Sequence, residues 1–369
     1  SLILPEPGAG VDRYEHAAQL LRERTRAGVY RVAERAALYV YEMGGADGGT
    51  TRGLLGAVEL RDPRDGVILP HEDTMAGPVA DRLALMSATQ ANLEPIYLVY
   101  DGGGAASEAV AAVDPAAAIA TATGPDGLRH RLWALTDRTQ LAQIAADLAG
   151  RTALIADGHH RYATYRRLQA ELRAEHGAGP WDFGLTLLVD ASVFGPQVHA
   201  IHRTIPGLPL PNAVERLRPW ARVDPVPSAA AGLKAAAAEP GYAVVLADGD
   251  GAVLVRDRDG SLRAAALAAG ADGEPRELSA LDVTVTHRAV IAQALGIEDS
   301  VERVHYAHSL DEALADATAH GGTAVLLRPT PVSAVAAVAR AGARMPRKST
   351  LFTPKPASGL VMRRFADER

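Results

Sequence analysis

An α/β fold with mixed sheets is predicted from three observations. Residues 129–190 and 281–341 alternate short apolar runs with stretches of helical period. Two segments, around 44–49 and 248–251, carry glycine-rich turns between apolar runs, the pattern of antiparallel hairpins. The chain has 369 residues, 48% of them hydrophobic and 22% charged. That suits a soluble protein of one large or two to three smaller domains.

The elements follow in order. Residues 14–28 (YEHAAQLLRERTRAG) read as an amphipathic helix closed by Gly28. Residues 36–43 and 52–60 read as strands around the loop 44–49. Asp65-Gly66 turns the chain into a short apolar run over 67–70, and residues 80–90 are helical. Residues 96–100 form a short buried strand. The alanine-rich stretch 103–120 fits no single element. Residues 129–136 read as a strand, Asp137 as the N-cap of a helix over 138–148, and 152–156 as a buried strand running into a helix from His159 to about residue 175. Strands over 183–190 and 197–202 come next. The Pro-rich stretch 206–211 is the best internal boundary. Beyond it lie a hairpin over 242–255 and helices over 281–296, 309–320 and 332–341, alternating with strands over 303–306 and 323–327. The chain thus divides into 1–115, a mixed-sheet region; 116–205, a strand–helix core; and 206–369, an α/β region.

Composition excludes several classes of function. With no cysteine, disulfides, thiolate catalysis and cysteine-bound metals are ruled out. A net charge of -6 argues against DNA binding by bulk charge. No apolar run reaches the roughly 18 residues of a membrane span, and the N-terminus carries no signal-peptide core. The expectation is a cytoplasmic protein without DNA or membrane partners, and a homodimer is allowed. The first residue is not Met, so the expectation also includes a missing upstream piece.

The turn Asp157-Gly158-His159-His160-Arg161 carries the most chemistry. It joins a buried strand to a helix start, where free N–H groups attract anions. Arg161 can grip phosphate with a fork of donors, and Gly158 permits a backbone that side chains forbid. Asp157 can cap the helix or hold a metal. His71-Glu72-Asp73-Thr74 also lies between an apolar run and a helix. Glu72 can serve as a general base, or as a Mg²⁺ ligand together with Asp157. An ordinary capping stretch is the plainer reading of this motif, and position 75 is Met, so no zincin motif is present. Lys348, Ser349, Thr350 and Lys355 can contact phosphate or carboxylate, though no Walker A loop surrounds them. His202-Arg203 is the weakest candidate pair, and Asp-Gly-Asp-Gly at 248–251 reads as a turn.

Together these motifs, with Arg131-Leu132-Trp133, Tyr162, Thr164 and the stretch Met345 to Phe352 followed by Pro354-Lys355, resemble a widespread prokaryotic domain-of-unknown-function family. The resemblance runs over nearly the whole chain. Family members begin with a further segment containing Pro-Pro-Tyr-Asp, which this sequence lacks. The Asp-Gly-His-His-Arg turn is similar to that of free-serine kinases with the ParB/sulfiredoxin-like fold. Family genes also tend to lie near serine-biosynthesis genes.

The resemblance implies a ParB-like nucleotide-binding core with extra N- and C-terminal α/β regions. It implies a kinase that uses ATP or ADP with Mg²⁺ to phosphorylate a small hydroxy amino acid, L-serine first. Glu72, His71 and His160 would be catalytic. Asp157, Gly158, His159, Arg161, Lys348, Ser349 and Thr350 would hold the nucleotide. His202, Arg203 and Lys355 would hold the substrate, and Asp157 with Glu72 the metal. A metal-dependent hydrolase or phosphatase and a non-catalytic nucleotide-binding regulatory module are the alternative expectations.

Overall fold

The computed structural model describes residues 2–7, 10–44, 49–300 and 302–368. The tip of the glycine-rich loop expected at 44–49 lies outside the described residues. The chain forms two compact units: Ser1–Pro196 with Pro354–Arg369, and Gln197–Thr353.

The first unit is built on an eight-stranded mixed sheet. Its strands run in the order Ile68–Leu69, Ala153–Asp157, Ile96–Tyr100, Phe183–Asp190, Thr50–Glu59, Leu38–Gly44, Arg129–Leu135 and Ala120–Thr123. Two of the pairings are parallel: Ile68–Leu69 with Ala153–Asp157, and Ile96–Tyr100 with Phe183–Asp190. Every residue of Ile96–Tyr100 is buried, as a strand with neighbours on both edges requires. Val40, Leu54, Ile96, Leu98 and Ile155 from the sheet pack with Ile144 of helix Arg138–Leu148 and with Tyr162, Tyr165 and Leu168 of helix His159–His176. Asp137 caps the former helix by accepting from the Gln140 N–H at 2.8 Å, as its position in the sequence predicts. The expected regions 1–115 and 116–205 contribute strands to this one sheet, so the structure draws no boundary between them.

The end of the chain is stitched into the same unit. Arg363, buried, donates to the carbonyl of Phe183 at 2.7 Å and to the Asn92 side chain at 3.2 Å. Arg363–Arg364 pairs with Ala91–Asn92 as a two-stranded ribbon.

The second unit holds an antiparallel six-stranded sheet in the order Ala221–Val226, Ala252–Asp257, Ala243–Ala247, Thr323–Leu326, His202–Ile205 and His305–Ala307. The turn at 248–251 is a hairpin, and the Asp248 carboxylate accepts from the N–H groups of Asp250 and Gly251. Helices Ala229–Ala238 and Leu310–Ala319 supply the alanines that pack on this sheet.

Three expectations change here. The stretch 206–211 is no linker: Leu208 and Leu210 are buried, and the Thr323 hydroxyl donates to the Leu208 carbonyl at 2.6 Å. The units part instead after Gly195-Pro196. Residues 197–202 split into Gln197–His199, which pairs with Leu351–Thr353, and the start of His202–Ile205, which joins the large sheet. The helix expected over 281–296 widens to π-helical turns over Thr286–Ala294. Among the described residues no helix is long and apolar enough to cross a membrane.

Candidate functional site

Strand pairing explains why two motifs 85 residues apart in sequence meet. Ile68 lies beside Ala153 and Leu69 beside Leu154, in parallel, so both strands release the chain at the same edge. One delivers His71-Glu72, the other Asp157-Gly158-His159. Crevices at the carboxyl ends of neighbouring strands are where α/β proteins place ligands.

Gly158 makes the turn possible. It sits in the left-handed region at φ 95°, ψ 28°, where a side chain is strained. The 18-residue helix His159–His176 starts immediately after it, and its N-cap is this glycine, which has no side chain to cap the first turn. That end of the helix therefore offers backbone donors and the positive pole of its dipole.

Both histidines act as acceptors, which their sequence does not reveal. His159 Nε2 accepts the backbone N–H of His71 at 3.3 Å, and the two imidazoles meet edge-on with centroids 4.5 Å apart. His160 Nε2 accepts the backbone N–H of Met75 at 3.0 Å. A ring nitrogen that accepts carries no proton, so each of these rings has its proton on Nδ1 and is neutral. Burial also lowers the pKa of His160. The pair thus fastens the segment 71–75 onto the helix start. Glu72, on that segment, places its carboxylate oxygens 3.7 Å from His159 Nδ1 and 4.0 Å from His71 Nε2. It is about one-third exposed, at 35%.

Opposite stand two cations. Arg161 donates through Nη2 to Asp157 at 2.6 Å and through Nη1 to the Pro95 carbonyl, with Glu94 4.0 Å away. Lys355, from the returning tail, pairs with the other oxygen of Asp157. Ser358 of the same tail donates to Glu94 at 3.1 Å. Sequence reasoning missed Glu94 and Pro95. Their one signal is a charged residue and a proline directly before a wholly apolar strand. Because Ile96–Tyr100 runs antiparallel to Ala153–Asp157, its start comes to lie beside Asp157.

His71, Glu72, Asp157, Gly158, His159, His160, Arg161 and Lys355 therefore all lie in the first unit. Lys348, Ser349, Thr350, His202 and Arg203 lie in the second. There Arg203 is fully buried and donates to His287 Nε2 at 2.8 Å and to the carbonyls of Arg347 and Lys348 at 3.3 and 3.0 Å. Burial lowers its pKa to about 10. His202 is buried as well and accepts the Leu327 N–H at 3.2 Å, and burial, then the charge of Arg203, pushes its pKa down to about 4. Ser349 and Thr350 are buried, and the Ser349 hydroxyl donates to the Pro346 carbonyl at 2.5 Å. Lys348 is exposed, with its backbone at φ 55°. These bonds give His202, Arg203 and Ser349 work inside the unit that their sequence did not indicate.

Comparison with known proteins shows the family to which the chain belongs. The family described as "Protein of unknown function (DUF1015)" matches residues 1–284. Solved structures that resemble the chain include a free serine kinase variant in complex with ADP, at 16% identity and TM-score 0.41, covering 85% of this chain and 94% of that one. A free serine kinase in complex with AMP matches at 16% identity and TM-score 0.40, covering 85% and 93%. SbnI with a C-terminal truncation from Staphylococcus aureus matches at 11% identity and TM-score 0.39, covering 81% and 82%. These likenesses are distant. No curated protein matches the sequence.

Proposed function

From its membership of the DUF1015 family of unknown function and the geometry of its own site, we propose that the chain is a nucleotide-dependent kinase of a small hydroxy amino acid, with L-serine first. The observation that supports this reading best is the convergence of a carboxylate, Glu72, with the glycine-led start of helix His159–His176 and two cations, Arg161 and Lys355, at one edge of one sheet.

The division of work follows from exposure and partners. Arg161 and the first N–H groups of helix His159–His176 hold phosphoryl oxygens. Lys355, 46% exposed, reaches a substrate carboxylate. Glu72 takes the proton of the attacking hydroxyl, whose oxygen bonds to phosphorus as the bond to the leaving nucleotide breaks. His159 and His160 are positioning residues: they hold the segment that presents Glu72. Phosphoryl transfer asks for such placement more than for covalent chemistry.

Charge supports a nucleotide arriving as its magnesium complex. Arg161 and Lys355 stand against Asp157 and Glu94, so the cluster carries no excess of positive charge. Glu72 and Asp157 are both partly exposed oxygen donors, and one or two carboxylates completed by substrate phosphates suffice for Mg²⁺. When bound, the ion would neutralise charge on the transferred group.

A free serine kinase holding ADP among the distant neighbours names the first ligands to titrate and no more. Calorimetry with ATP or ADP and Mg²⁺ on wild type and Arg161→Ala is the test. Loss of a charged hydrogen-bonding group should weaken binding by roughly 10- to 100-fold. Glu72→Gln should keep binding while O-phosphoserine formation, followed by ³¹P NMR, drops by about 10²–10⁴-fold. Absence of nucleotide binding would overturn the reading. Binding without turnover of any hydroxy amino acid would leave a regulatory module.

A further inference from the structure

The second unit contains a side-chain group that the proposed kinase does not use. His305 on strand His305–Ala307, Asp316 on helix Leu310–Ala319 and His320 just past that helix bring ligand atoms within 4.8 Å of one another. His305 Nδ1 lies 3.0 Å from one oxygen of Asp316, and His320 Nδ1 lies 3.2 Å from the other. The two rings stand edge-on, centroids 5.3 Å apart. Asp316 and His320 are four residues apart and so share a helix face. Thr204, the strand partner of His305, donates its hydroxyl to the same carboxylate and fixes its direction.

An ordinary hydrogen-bonded trio is the plain alternative. In it the His305 Nδ1 proton goes to the Asp316 carboxylate, and the His320 Nδ1 proton to the Asp316 backbone carbonyl, 2.9 Å away. The spacing also fits a shared cation, which would take His320 through its other ring nitrogen or in exchange for the bond to the carbonyl. With metal–ligand bonds of about 2.1 Å, adjacent ligands stand about 3.0 Å apart at right angles and about 3.4 Å apart at the tetrahedral angle. The separations of 3.0 and 3.2 Å both fall in that interval, each histidine facing one of the two carboxylate oxygens. The hydroxyl of Thr204 is the kind of outer contact that orients metal-bound carboxylates. All three side chains are partly open, at 33%, 27% and 48% exposure, so an ion and its water can enter.

We propose that His305, Asp316 and His320 form a binding site for a divalent transition-metal ion, Zn²⁺ first, completed by water. Two imidazoles and one carboxylate suit zinc, cobalt or nickel, whereas Mg²⁺ and Ca²⁺ take oxygen ligands. Three protein ligands leave a position open for water or for an exogenous anion. The ion ties strand His305–Ala307 to helix Leu310–Ala319, and Thr204 extends the tie to strand His202–Ile205.

The test is calorimetric titration of the metal-stripped full-length protein with Zn²⁺. One site should appear in wild type, weaken by about 100-fold in His320→Ala and in Asp316→Asn, and persist in Glu72→Gln, which alters the histidine cluster of the other unit. A large excess of Mg²⁺ should not displace the zinc. His320 is half exposed and lies beyond its helix, so its loss leaves the fold intact, which circular dichroism verifies. The inference fails if wild type takes up no zinc, if both variants keep wild-type affinity, if Mg²⁺ competes, or if the site vanishes in Glu72→Gln alone.

Discussion

Acid should weaken the second unit through one histidine. His202 is 7% exposed, and its pKa is pushed from 6.5 to about 4 by burial, with the charge of Arg203 adding to it. The unfolded chain takes up a proton near pH 6.5, while the folded chain resists until about pH 4. Stability from this group is therefore complete above pH 6.5, lost progressively between pH 6.5 and 4, and level below that. One pKa unit is worth about 1.4 kcal/mol, so the loss by pH 4 is about 3 kcal/mol. Replacement by asparagine supplies an oxygen in place of Nδ1 to accept the Leu327 N–H but cannot titrate. Amide exchange in the peptide spanning 323–327, corrected for the intrinsic pH dependence, reads the unit directly. Between pH 7.5 and 4, wild type should lose about 100-fold more protection there than His202→Asn. Equal losses in the two proteins would refute the argument, because a histidine open to solvent and substrate titrates near its ordinary value in both states.

Other substitutions separate the roles within the first unit. His159→Ala leaves the buried His71 N–H without its acceptor and should cost about 1–3 kcal/mol in urea unfolding, whereas His160→Ala frees the N–H of exposed Met75 to water and should cost under about 0.5 kcal/mol. His160→Ala should still slow turnover, since the segment carrying Glu72 loses a fastening. Gly158→Ala puts a Cβ at φ 95° and 3.2 Å from the Arg161 guanidinium, so thermal unfolding should report a loss of roughly 1–2 kcal/mol, and no loss would mean that the turn relaxes. Asp157→Asn should strengthen binding of nucleotide without Mg²⁺ and flatten its Mg²⁺ dependence in calorimetry. Weaker binding without Mg²⁺ would count against the exchange of partners argued below.

Local elements were legible because local rules set them. Asp137 caps a helix over the expected residues 138–148, and the apolar runs 96–100 and 183–190 are strands with those bounds, since buried strands read as unbroken apolar stretches. The turn at 157–161 and the segment at 71–74 were each singled out as candidates for chemistry. A metal shared by Glu72 and Asp157 presupposed that they meet, but the means was not legible, because it is a parallel pairing of two short strands 85 residues apart, which no local pattern encodes. The boundary was misplaced for a related reason. Prolines at 206, 209 and 211 mark stiff backbone, yet Leu208 and Leu210 between them bury apolar side chains, and burial outweighs the punctuation. The histidines show a further limit. Sequence gives the residue type, while the partner of each Nε2 decides whether the ring is a cation or a neutral acceptor.

In the proposed kinase, Asp157 is the partner that an incoming anion would displace from Arg161 and Lys355. Its two oxygens engage Arg161 and Lys355, and side chains of 29% exposure against 17% and 46% make both pairs partly solvated. Pairs of that kind contribute on the order of 0–1 kcal/mol each, so breaking them costs little. Two unpaired cations facing one another would instead repel and wander. In the proposed kinase the carboxylate would thus hold Arg161 ready for phosphate oxygens and Lys355 for the substrate carboxylate, and would give way to ligands with more charge. Arg161 would keep its bond to the Pro95 carbonyl through that exchange, which fixes its direction while its partner changes. Asp157 itself, once released, is an oxygen donor at the carboxyl end of its strand, beside the helix start and one strand from Glu72. In the proposed kinase, the residue that pairs with both cations would therefore also be the one placed to hold the Mg²⁺ of the nucleotide.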